Sequence, residues 1–397
     1  MNRYLVKLKP ADSFFFGGEK GFGFNDGKGS LENNIVKSRE FPQQTSILGM
    51  IRKELLVLHG YLKEKWDYYD HEKKKNHKLV GKESFSIAGE NQDFGIVNGI
   101  SPVFIIEETK GSDKFLIRIP KDHNLNNNSD KYNPLRFNDD KDNCLKVKTN
   151  FAEEVYLPID FDAKKGLSED FIDIETGHIV DKNKVFIKDC SIGIRLDKNH
   201  KTEANSLFRL EKYKFSYDSK YGRADKCFAF ILDVEEEEFT FENHKNIITL
   251  GGEGSHFFIS FEKVNFNIKD KIRFIDKEKN GFTIKERISL PNNEKEIKKA
   301  KQVYKIILLS DTYISKDIYE KNCSYAISTK IDFKSLCSDN YCKNKNKHYY
   351  NRFDRSESKY SLLEKGSVLF AAKDNYDKLI ENINNSKFQK IGYNIFI

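Results

Sequence analysis

The chain has 397 residues, a net charge of +7, and 32 Phe and 19 Tyr within a hydrophobic fraction of only 38%. This length allows two or three domains with their own cores, which we expect to be phenylalanine-rich. The charge is lower than that of a dedicated basic nucleic-acid domain, so it permits nucleic acid without indicating it. No apolar stretch has the length that crosses a bilayer and the N-terminus has no signal-peptide pattern, so we expect a soluble, cytoplasmic protein.

The six cysteines are expected to be free thiols, as is usual inside cells. Four residues near the C-terminus are of types that bind zinc: Cys323, Cys337, Cys342 and His348. Their spacing matches no common zinc motif, and they lie in lysine- and asparagine-rich sequence. The sequence therefore predicts no metal and no other cofactor.

The first predicted element is a strand that leads into a glycine-rich loop. Apolar and basic residues alternate over 3–9, which is the period of a strand with one covered face. The loop at 14–23 reads FFFGGEKGFG, and its backbone N–H groups and lysine are suited to phosphate. It matches neither the phosphate-loop nor the dinucleotide fingerprint, so it predicts a polyanionic partner and no nucleotide cofactor. The alternative is a tight turn with a flexible tip.

The first helix is predicted from Ser46 onward. Pro42, Thr45 and Ser46 are the residues expected to start and cap it. The apolar side chains that follow recur at steps of three and four, as in an amphipathic helix packed on a sheet: Ile47, Ile51, Leu55, Leu58 and Leu62.

Two later stretches are predicted to lack regular structure. The charged tract at 71–75 is interpreted as a solvated loop. Residues 122–150 are rich in Asn, Asp and Lys and show little periodicity, so we expect a mobile insertion. Beyond them, 190–216 has the pattern of a hairpin with basic residues on its arms.

A weak internal repeat suggests two related units. Each copy has a strand, a link with some helical character, a glycine-containing loop and a second strand. The first copy covers 227–262 and the second 367–397. Two small α+β units, each with helices on one face of an antiparallel sheet, explain this order.

In this order, the motifs resemble those of the RAMP superfamily of CRISPR-associated proteins, and within it the family of subunit three of the type III-B (Cmr) effector complex. The matching pieces are 14–23, 41–49, 193–197, 250–253, 365–368 and 391–393. The resemblance implies an α+β fold of two ferredoxin-like (RRM-like) units with antiparallel sheets, glycine-rich loops and long insertions. The N-terminal unit would cover 1–265, with insertions at about 67–150 and a hairpin at 190–216, and the C-terminal unit 266–397.

The resemblance also implies a non-catalytic role in antiviral defence. Such a subunit binds the repeat-derived 5′ tag of the CRISPR RNA and contacts the large polymerase-like subunit and the backbone RAMP subunits. Gln, Ser and backbone groups suit the edges of unstacked bases, and Lys and Arg suit phosphates. Aromatic residues offered for base stacking are Phe22, Phe24 and Tyr393. The implied RNA-binding residues are Lys20, Lys37, Ser38, Arg39, Gln43, Gln44, Arg195, Lys198, Lys201, Gly251, Gly252 and Gly392.

Other interpretations of these residues stay open. Gln43 and Gln44 precede a helix and are also typical of its start, the hairpin lysines are also typical of a solvated surface, and 250–254 is also typical of a tight turn. A second hypothesis is a metal-independent, CRISPR RNA-processing endoribonuclease of the same superfamily, with His256 as the first base to test. None of the nine histidines forms a recognisable catalytic pair in the sequence. A third hypothesis is the equivalent capping subunit of a type III-A complex.

Overall fold

The computed structural model divides the chain into two compact units. The first contains Met1–Lys114 and Asp181–Asn265, and the second contains Phe115–Val180 and Phe266–Ile397. The residues that the structure describes are 2–21, 35–63, 70–82, 84–89, 92–109, 111–126, 129–135, 146–148, 154–156, 160–194, 198–199, 201, 208–217, 225–235, 241–242, 244–275, 281–288, 297–323, 325–333, 336–337, 354–355 and 360–397.

These residues form a mixed α+β fold with mostly antiparallel sheets and few helices. The strands are β1 (Asn2–Pro10), β2 (Phe16–Gly21), β3 (Ile35–Arg39), β4 (Val97–Ile100), β5 (Phe104–Glu108), β6 (Lys114–Arg118), β7 (Lys146–Lys148), β8 (Glu154–Tyr156), β9 (Phe171–Asp173), β10 (Ile179–Val180), β11 (Phe186–Gly193), β12 (Phe208–Phe215), β13 (Asp225–Val234), β14 (Lys245–Thr249), β15 (His256–Lys263), β16 (Gly281–Ile288), β17 (Ile297–Ile307), β18 (Tyr325–Ile327), β19 (Lys330–Phe333), β20 (Leu336–Cys337), β21 (Asp354–Arg355), β22 (Tyr360–Leu363) and β23 (Val368–Ala372). The helices are α1 (Gln44–Leu58), α2 (Asp70–Val80), α3 (Lys182–Val185), α4 (Ile268–Lys271), α5 (Lys316–Asn322), α6 (Lys373–Ile383) and α7 (Ser386–Gln389).

The first unit contains two sheets. In the larger one the strands lie in the order β5-β13-β1-β15-β14, and β4 also pairs with β13. In the smaller one the order is β11-β12-β3-β2. The pairing of β12 with β3 is parallel, and the pairings of β1, β5, β14 and β15 in the larger sheet are antiparallel.

Aromatic side chains fill the core of the first unit, as the composition predicts. Phe228 on β13 is fully buried. Its ring centroid lies 4.9 Å from that of Phe215 and 5.1 Å from that of Phe14. Phe41, just before α1, meets the same ring edge-on at 5.7 Å. The turn before α1, the start of β2 and the end of β12 therefore converge on one buried phenylalanine.

The second unit is built on the sheet β16-β17-β23-β18. The last residues of the chain extend this sheet, because the backbones of Ile307 and Ile397 exchange hydrogen bonds of 2.8 and 3.0 Å. Leu379 and Ile383 of α6 pack against one face of the sheet, and Leu135 belongs to the cluster on the other face. Smaller antiparallel pairs in this unit are β6 with β9, β9 with β10, β7 with β8, β19 with β22, and β20 with β21.

Several predicted elements are confirmed. The alternation at 3–9 corresponds to β1, and the first part of the apolar stripe corresponds to α1, in which Ile47, Ile51 and Leu55 are buried. The helix ends at Leu58, so Leu62 lies beyond it. The hairpin is formed by β11 and β12, whose register runs from Phe186 opposite Phe215 to Gly193 opposite Phe208.

Two local predictions are wrong. The N-cap of α1 is Gln43, with no side-chain cap bond, so Thr45 and Ser46 lie inside the helix. The tract at 71–75 lies in α2 and is not a loop: Glu and Lys are good helix formers, and the buried Leu79 and Val80 anchor the end of this helix.

The first part of the predicted mobile insertion is also wrong. Asp122 and His123 are buried, because their polar side-chain atoms find partners inside the second unit. Leu135 is buried in a hydrophobic cluster of the same unit. Residues 127–128, 136–145 and 149–150 of that prediction lie outside the described residues. Across the described part of the chain, no helix is long and apolar enough to cross a membrane.

Candidate nucleic-acid interface

The small sheet of the first unit brings together three of the predicted RNA-binding segments. β2 carries the glycine-rich loop, β3 carries 37–39, and β11 and β12 are the arms of the basic hairpin. Phe16 pairs with Arg39 and Gly17 with Ser38 across β2 and β3. Lys37 lies in register with Glu211 across β3 and β12. Segments that are distant in sequence are therefore neighbours in one four-stranded sheet.

Two small residues allow β2 and β3 to approach closely. The Ser38 hydroxyl accepts the Phe16 N–H at 2.8 Å and donates to the Arg39 carbonyl at 2.7 Å, so this buried side chain is used within the sheet. A Cβ atom at Gly18 would lie 2.2 Å from the Lys37 carbonyl oxygen, which is a steric clash. Glycine has no Cβ and therefore fits at this position. Gly18 and Ser38 therefore have a packing role in the sheet.

The second glycine loop is tied to the start of β2. The Gly252 N–H donates to the Phe15 carbonyl at 2.9 Å, and the Ser255 hydroxyl accepts the Phe15 N–H at 2.9 Å. Gly251 has φ +85°, and a Cβ there would lie 2.3 Å from the same carbonyl oxygen. The tight-turn interpretation of this loop has a clear geometric basis, and the turn positions Gly251 and Gly252 beside β2.

Exposed basic residues lie along this sheet. The side chains of Lys37 on β3 and of Lys198 and Lys201 after β11 are exposed, and Arg39 is half-buried. Arg195 lies outside the described residues, and so does the side chain of Lys20, whose backbone lies in β2. Lys37 therefore offers an exposed ammonium on β3, and Lys198 and Lys201 offer two more beyond the end of β11.

The two glutamines at the start of α1 differ in their surroundings. Gln44 is buried, and its Nε2 donates to the Ser101 carbonyl at 2.8 Å. Gln43 is half-buried, and its carbonyl accepts the N–H groups of Ser46 and Ile47 at 2.9 and 3.1 Å. Gln44 is thus engaged within the protein, whereas the side chain of Gln43 takes no part in the cap.

Gly392 belongs to the second unit, in the turn after α7. Tyr393 beside it is 1% exposed, with its ring 6.0 Å from that of Phe333. Burial in this core leaves the Tyr393 ring no free face for a base. Phe22 and Phe24 lie outside the described residues.

Two exposed basic residues on the hairpin arms are absent from the predicted RNA-binding set. Lys188 on β11 and Arg209 on β12 are both exposed. Arg209 is in register with Ile192, and one of its guanidinium nitrogens lies 3.3 Å from the Cys190 Sγ. The signal that finds them is the two-residue alternation along each arm, which places Lys188, Cys190 and Ile192 on one face.

The residue types of metal-free RNA cleavage meet in the second unit, but they are buried. Lys305 binds Asp122, and the Tyr132 hydroxyl donates to Asp122 Oδ1 at 2.8 Å. His123 is 7% exposed and accepts the Asn133 N–H at 3.2 Å through Nδ1. Burial lowers the pKa of His123 and, together with Asp122, raises that of Tyr132. The network is suited to holding residues 122–126 and 129–135 in place.

No cluster of three or more His, Cys, Asp or Glu side chains with metal-binding geometry occurs among the described residues. Cys342, His348 and the side chain of Cys337 lie outside that part. Cys323 is mostly buried, and burial raises the pKa of its thiol to about 11.

Comparison with known proteins identifies the family. Residues 6–397 match the family model described as CRISPR-associated protein (Cas_Cmr3). No curated protein sequence matches the chain. The solved structures that match it include the type III-B Cmr-beta bound to cognate target RNA, and the same bound to cognate target RNA and AMPPnP (state 1). Both cryo-EM structures have a TM-score of 0.45 and 15% sequence identity, with 100% of this chain and 96% of the other covered. Because the family model matches nearly the whole sequence, the chain belongs to the Cas_Cmr3 family of CRISPR-associated proteins.

Proposed function

We propose that this chain is the non-catalytic subunit of a type III-B CRISPR effector ribonucleoprotein that binds the repeat-derived 5′ tag of the CRISPR RNA. In antiviral defence it would dock the large polymerase-like subunit and the backbone RAMP subunits in the cytoplasm. Family membership supports the type III-B assignment over the type III-A alternative. The observation that carries the RNA-binding part is the meeting of β2, β3 and the basic hairpin in one sheet.

We further propose that both units are ferredoxin-like. The order β15-β1-β13-β5 in the first unit supports this. In a ferredoxin-like unit the first strand lies between the fourth and the third, and here β1 lies between β15 and β13. In the second unit, 395–397 and β23 flank β17, and β18 follows β23, which is the same order. Residues 115–180 group with the second unit. We therefore propose that the C-terminal unit consists of 266–397 together with this earlier segment.

The exposure of each side chain decides which RNA contact we propose for it. Lys37, Lys198 and Lys201 are exposed and would hold phosphates. Gln43 retains a carboxamide without a cap role, so it is the better of the two glutamines for reading a base edge. Ser38, Gln44, Gly251 and Gly252 would act by shaping the surface, with backbone groups as their RNA contacts.

No described residue favours the nuclease hypothesis. His256, its first candidate base, is exposed at the start of β15, and its cross-strand partner is Thr249. The His123, Tyr132 and Lys305 group has the right chemistry, but His123 is buried and Lys305 is paired with Asp122. We therefore propose a binding role and no catalytic one.

The test is purification of the tagged chain with its co-expressed effector subunits, followed by RNA sequencing and mass spectrometry. We expect guide RNAs that share one 5′ tag, together with a large polymerase-like subunit. The variant Lys37→Ala/Lys198→Ala should recover less RNA than the wild type when equal amounts of the purified chain are compared. Purification of the chain with neither RNA nor protein would contradict the proposal.

A further inference from the structure

We infer that the surface around Ile247 and Phe258 docks a protein subunit of the effector, which contributes an apolar side chain beside an acidic one. This inference rests on the proposed function only in taking the partner to be a subunit of the same ribonucleoprotein. The surface, here called the β14–β15 face, lies on the large sheet of the first unit. It is separate from the sheet proposed for RNA.

The centre of the β14–β15 face is an exposed apolar pair. Ile247 and Phe258 are cross-strand partners on β14 and β15 and are 58% and 50% exposed. They line a depression of about 510 Å³. Asn246, between Lys245 and Ile247, points to the opposite side of the sheet, where its Nδ2 donates to Glu54 of α1 at 2.7 Å. The exposed pair therefore lies on the face away from α1.

Carboxylates lie close to the lysines around this centre, which argues against a polyanion. Lys7 Nζ lies 2.8 Å from Glu108, 3.7 Å from Asp113 and 3.9 Å from Glu262. Its pKa is raised despite burial, because Glu108 stabilises the ammonium. A phosphate placed here would meet these three carboxylates at close range, so nucleic acid is disfavoured.

The lysines nearest the apolar pair differ in their pairing. Lys9 pairs with Asp225 at 2.7 Å. Lys245 is exposed and lines the same depression, and no ion pair holds it among the described residues. A partner that places one carboxylate against Lys245 would complete the charge pattern. An apolar centre with a charged rim is the usual anatomy of a protein interface.

The edge of the sheet indicates how the partner docks. β14 is the outermost strand of this sheet. The Ile247 N–H donates to the side-chain Oδ1 of the preceding residue, Asn246, at 2.8 Å. The Asn246 amide is in turn held by both Glu54 oxygens, at 2.7 and 3.0 Å. With this edge donor satisfied, addition of a partner strand is blocked at Ile247, so contact through side chains is favoured.

The test uses the complete co-expressed effector and native mass spectrometry. Ile247→Ser/Phe258→Ser should lower the affinity for one protein subunit at least tenfold, as expected for the loss of a central apolar anchor. Lys245→Glu should lower it as well, while leaving the apolar pair intact. Val57→Ser, which alters another exposed apolar residue on α1, is the matched control. Thermal unfolding of each variant against the wild type identifies any folding defect, and Lys245→Glu keeps the test valid if the double variant has one.

The outcomes are distinguishable. Loss of one protein subunit with guide RNA retained supports the inference. Loss of RNA with all proteins retained overturns it and assigns the face to nucleic acid. Unchanged composition in both variants overturns it while leaving the proposed function intact. A wild-type chain that purifies alone overturns the inference and the proposed function together.

Discussion

Lys37 on β3 lies in register with Glu211 on β12 in a parallel pairing of the small sheet. Glu211 also lies 3.7 Å from Arg209, so one carboxylate is placed among the basic residues proposed to hold RNA. Because the Glu211 side chain is 17% exposed, it is close enough to the surface to weaken binding of a phosphate there. The same pairing that unites β3 with the hairpin thus moderates its positive charge.

Removing this carboxylate should strengthen RNA binding. Glu211→Gln keeps the shape of the side chain and deletes its charge. Charge interactions near the surface are worth about 0.2–1 kcal/mol, so we expect up to roughly fivefold tighter binding at low salt. Fluorescence anisotropy with a labelled RNA that carries the host's 5′ tag measures this. Glu381→Gln, an exposed acid on α6, is the control. Equal or weaker binding of Glu211→Gln would contradict the role given to the sheet.

Gly251→Ala should destabilise the first unit more than Gly254→Ala. Both glycines have positive φ, at +85° and +64°, which costs a non-glycine residue about 1 kcal/mol or more. Only at Gly251 does the added Cβ also collide with Phe15, 2.3 Å from its carbonyl oxygen, whereas the space at Gly254 is open. We expect a difference of about 1–3 kcal/mol in the free energy of unfolding, measured with urea. Equal effects would mean that the loop moves freely away from β2.

The buried ion pair of the second unit should respond to single and double substitutions in different ways. Asp122→Asn leaves the Lys305 ammonium, whose side chain is 14% exposed, without its carboxylate. Breaking such a pair costs about 3–5 kcal/mol, so this variant should unfold at much lower urea. Asp122→Asn/Lys305→Met removes both charges and should recover part of that loss. Strictly additive effects of the two substitutions would show that the pair is not coupled.

Stability should fall in mild acid because of His123. Burial is the main cause that lowers its pKa, and the negative charge of Asp122 only partly opposes this. Below about pH 6.5 the unfolded chain therefore binds a proton that the folded chain still rejects. The loss begins near pH 6.5 and continues down through the folded-state pKa, at no more than about 1.4 kcal/mol per pH unit.

Urea unfolding of the wild type and His123→Asn at pH 7.5, 6.5 and 5.5 isolates this contribution. The variant should have a shallower pH dependence, whereas His71→Asn, on the exposed side of α2, should behave as the wild type does. Parallel curves for the wild type and His123→Asn would assign the acid sensitivity to other groups.

Local patterns in the sequence predict β1, α1 and the β11–β12 hairpin well. Each has a clear periodicity over its own length, and tertiary contacts reinforce it. The pairing of Lys37 with Glu211 could not be predicted, because no local signal specifies which distant strand a short strand joins. The order of the motifs along the whole chain indicates the family, whereas each local pattern alone does not.

Two of the errors have the same physical cause, which is the burial of polar side chains that satisfy one another. The loop at 122–135 is polar in sequence, yet Asp122, Lys305 and Tyr132 satisfy one another and allow burial. Composition registers only polarity, so it predicts a mobile insertion. The role of Gln44 was similarly hidden, because its amide finds a carbonyl at Ser101 that lies far along the chain.

The most direct test of the central claim is the salt dependence of tag-RNA binding by the full-length chain. Anisotropy titrations over a KCl series should compare the wild type with Lys37→Ala/Lys198→Ala and with the control Lys373→Ala/Lys378→Ala on α6. Each phosphate contact on a single strand contributes about 0.7 to the slope of log K against log salt. With two phosphate contacts removed, we expect a slope shallower by about 1.4 for the first variant and an unchanged slope for the control. Identical slopes for all three proteins would contradict the placement of the RNA on the β2–β3–hairpin sheet.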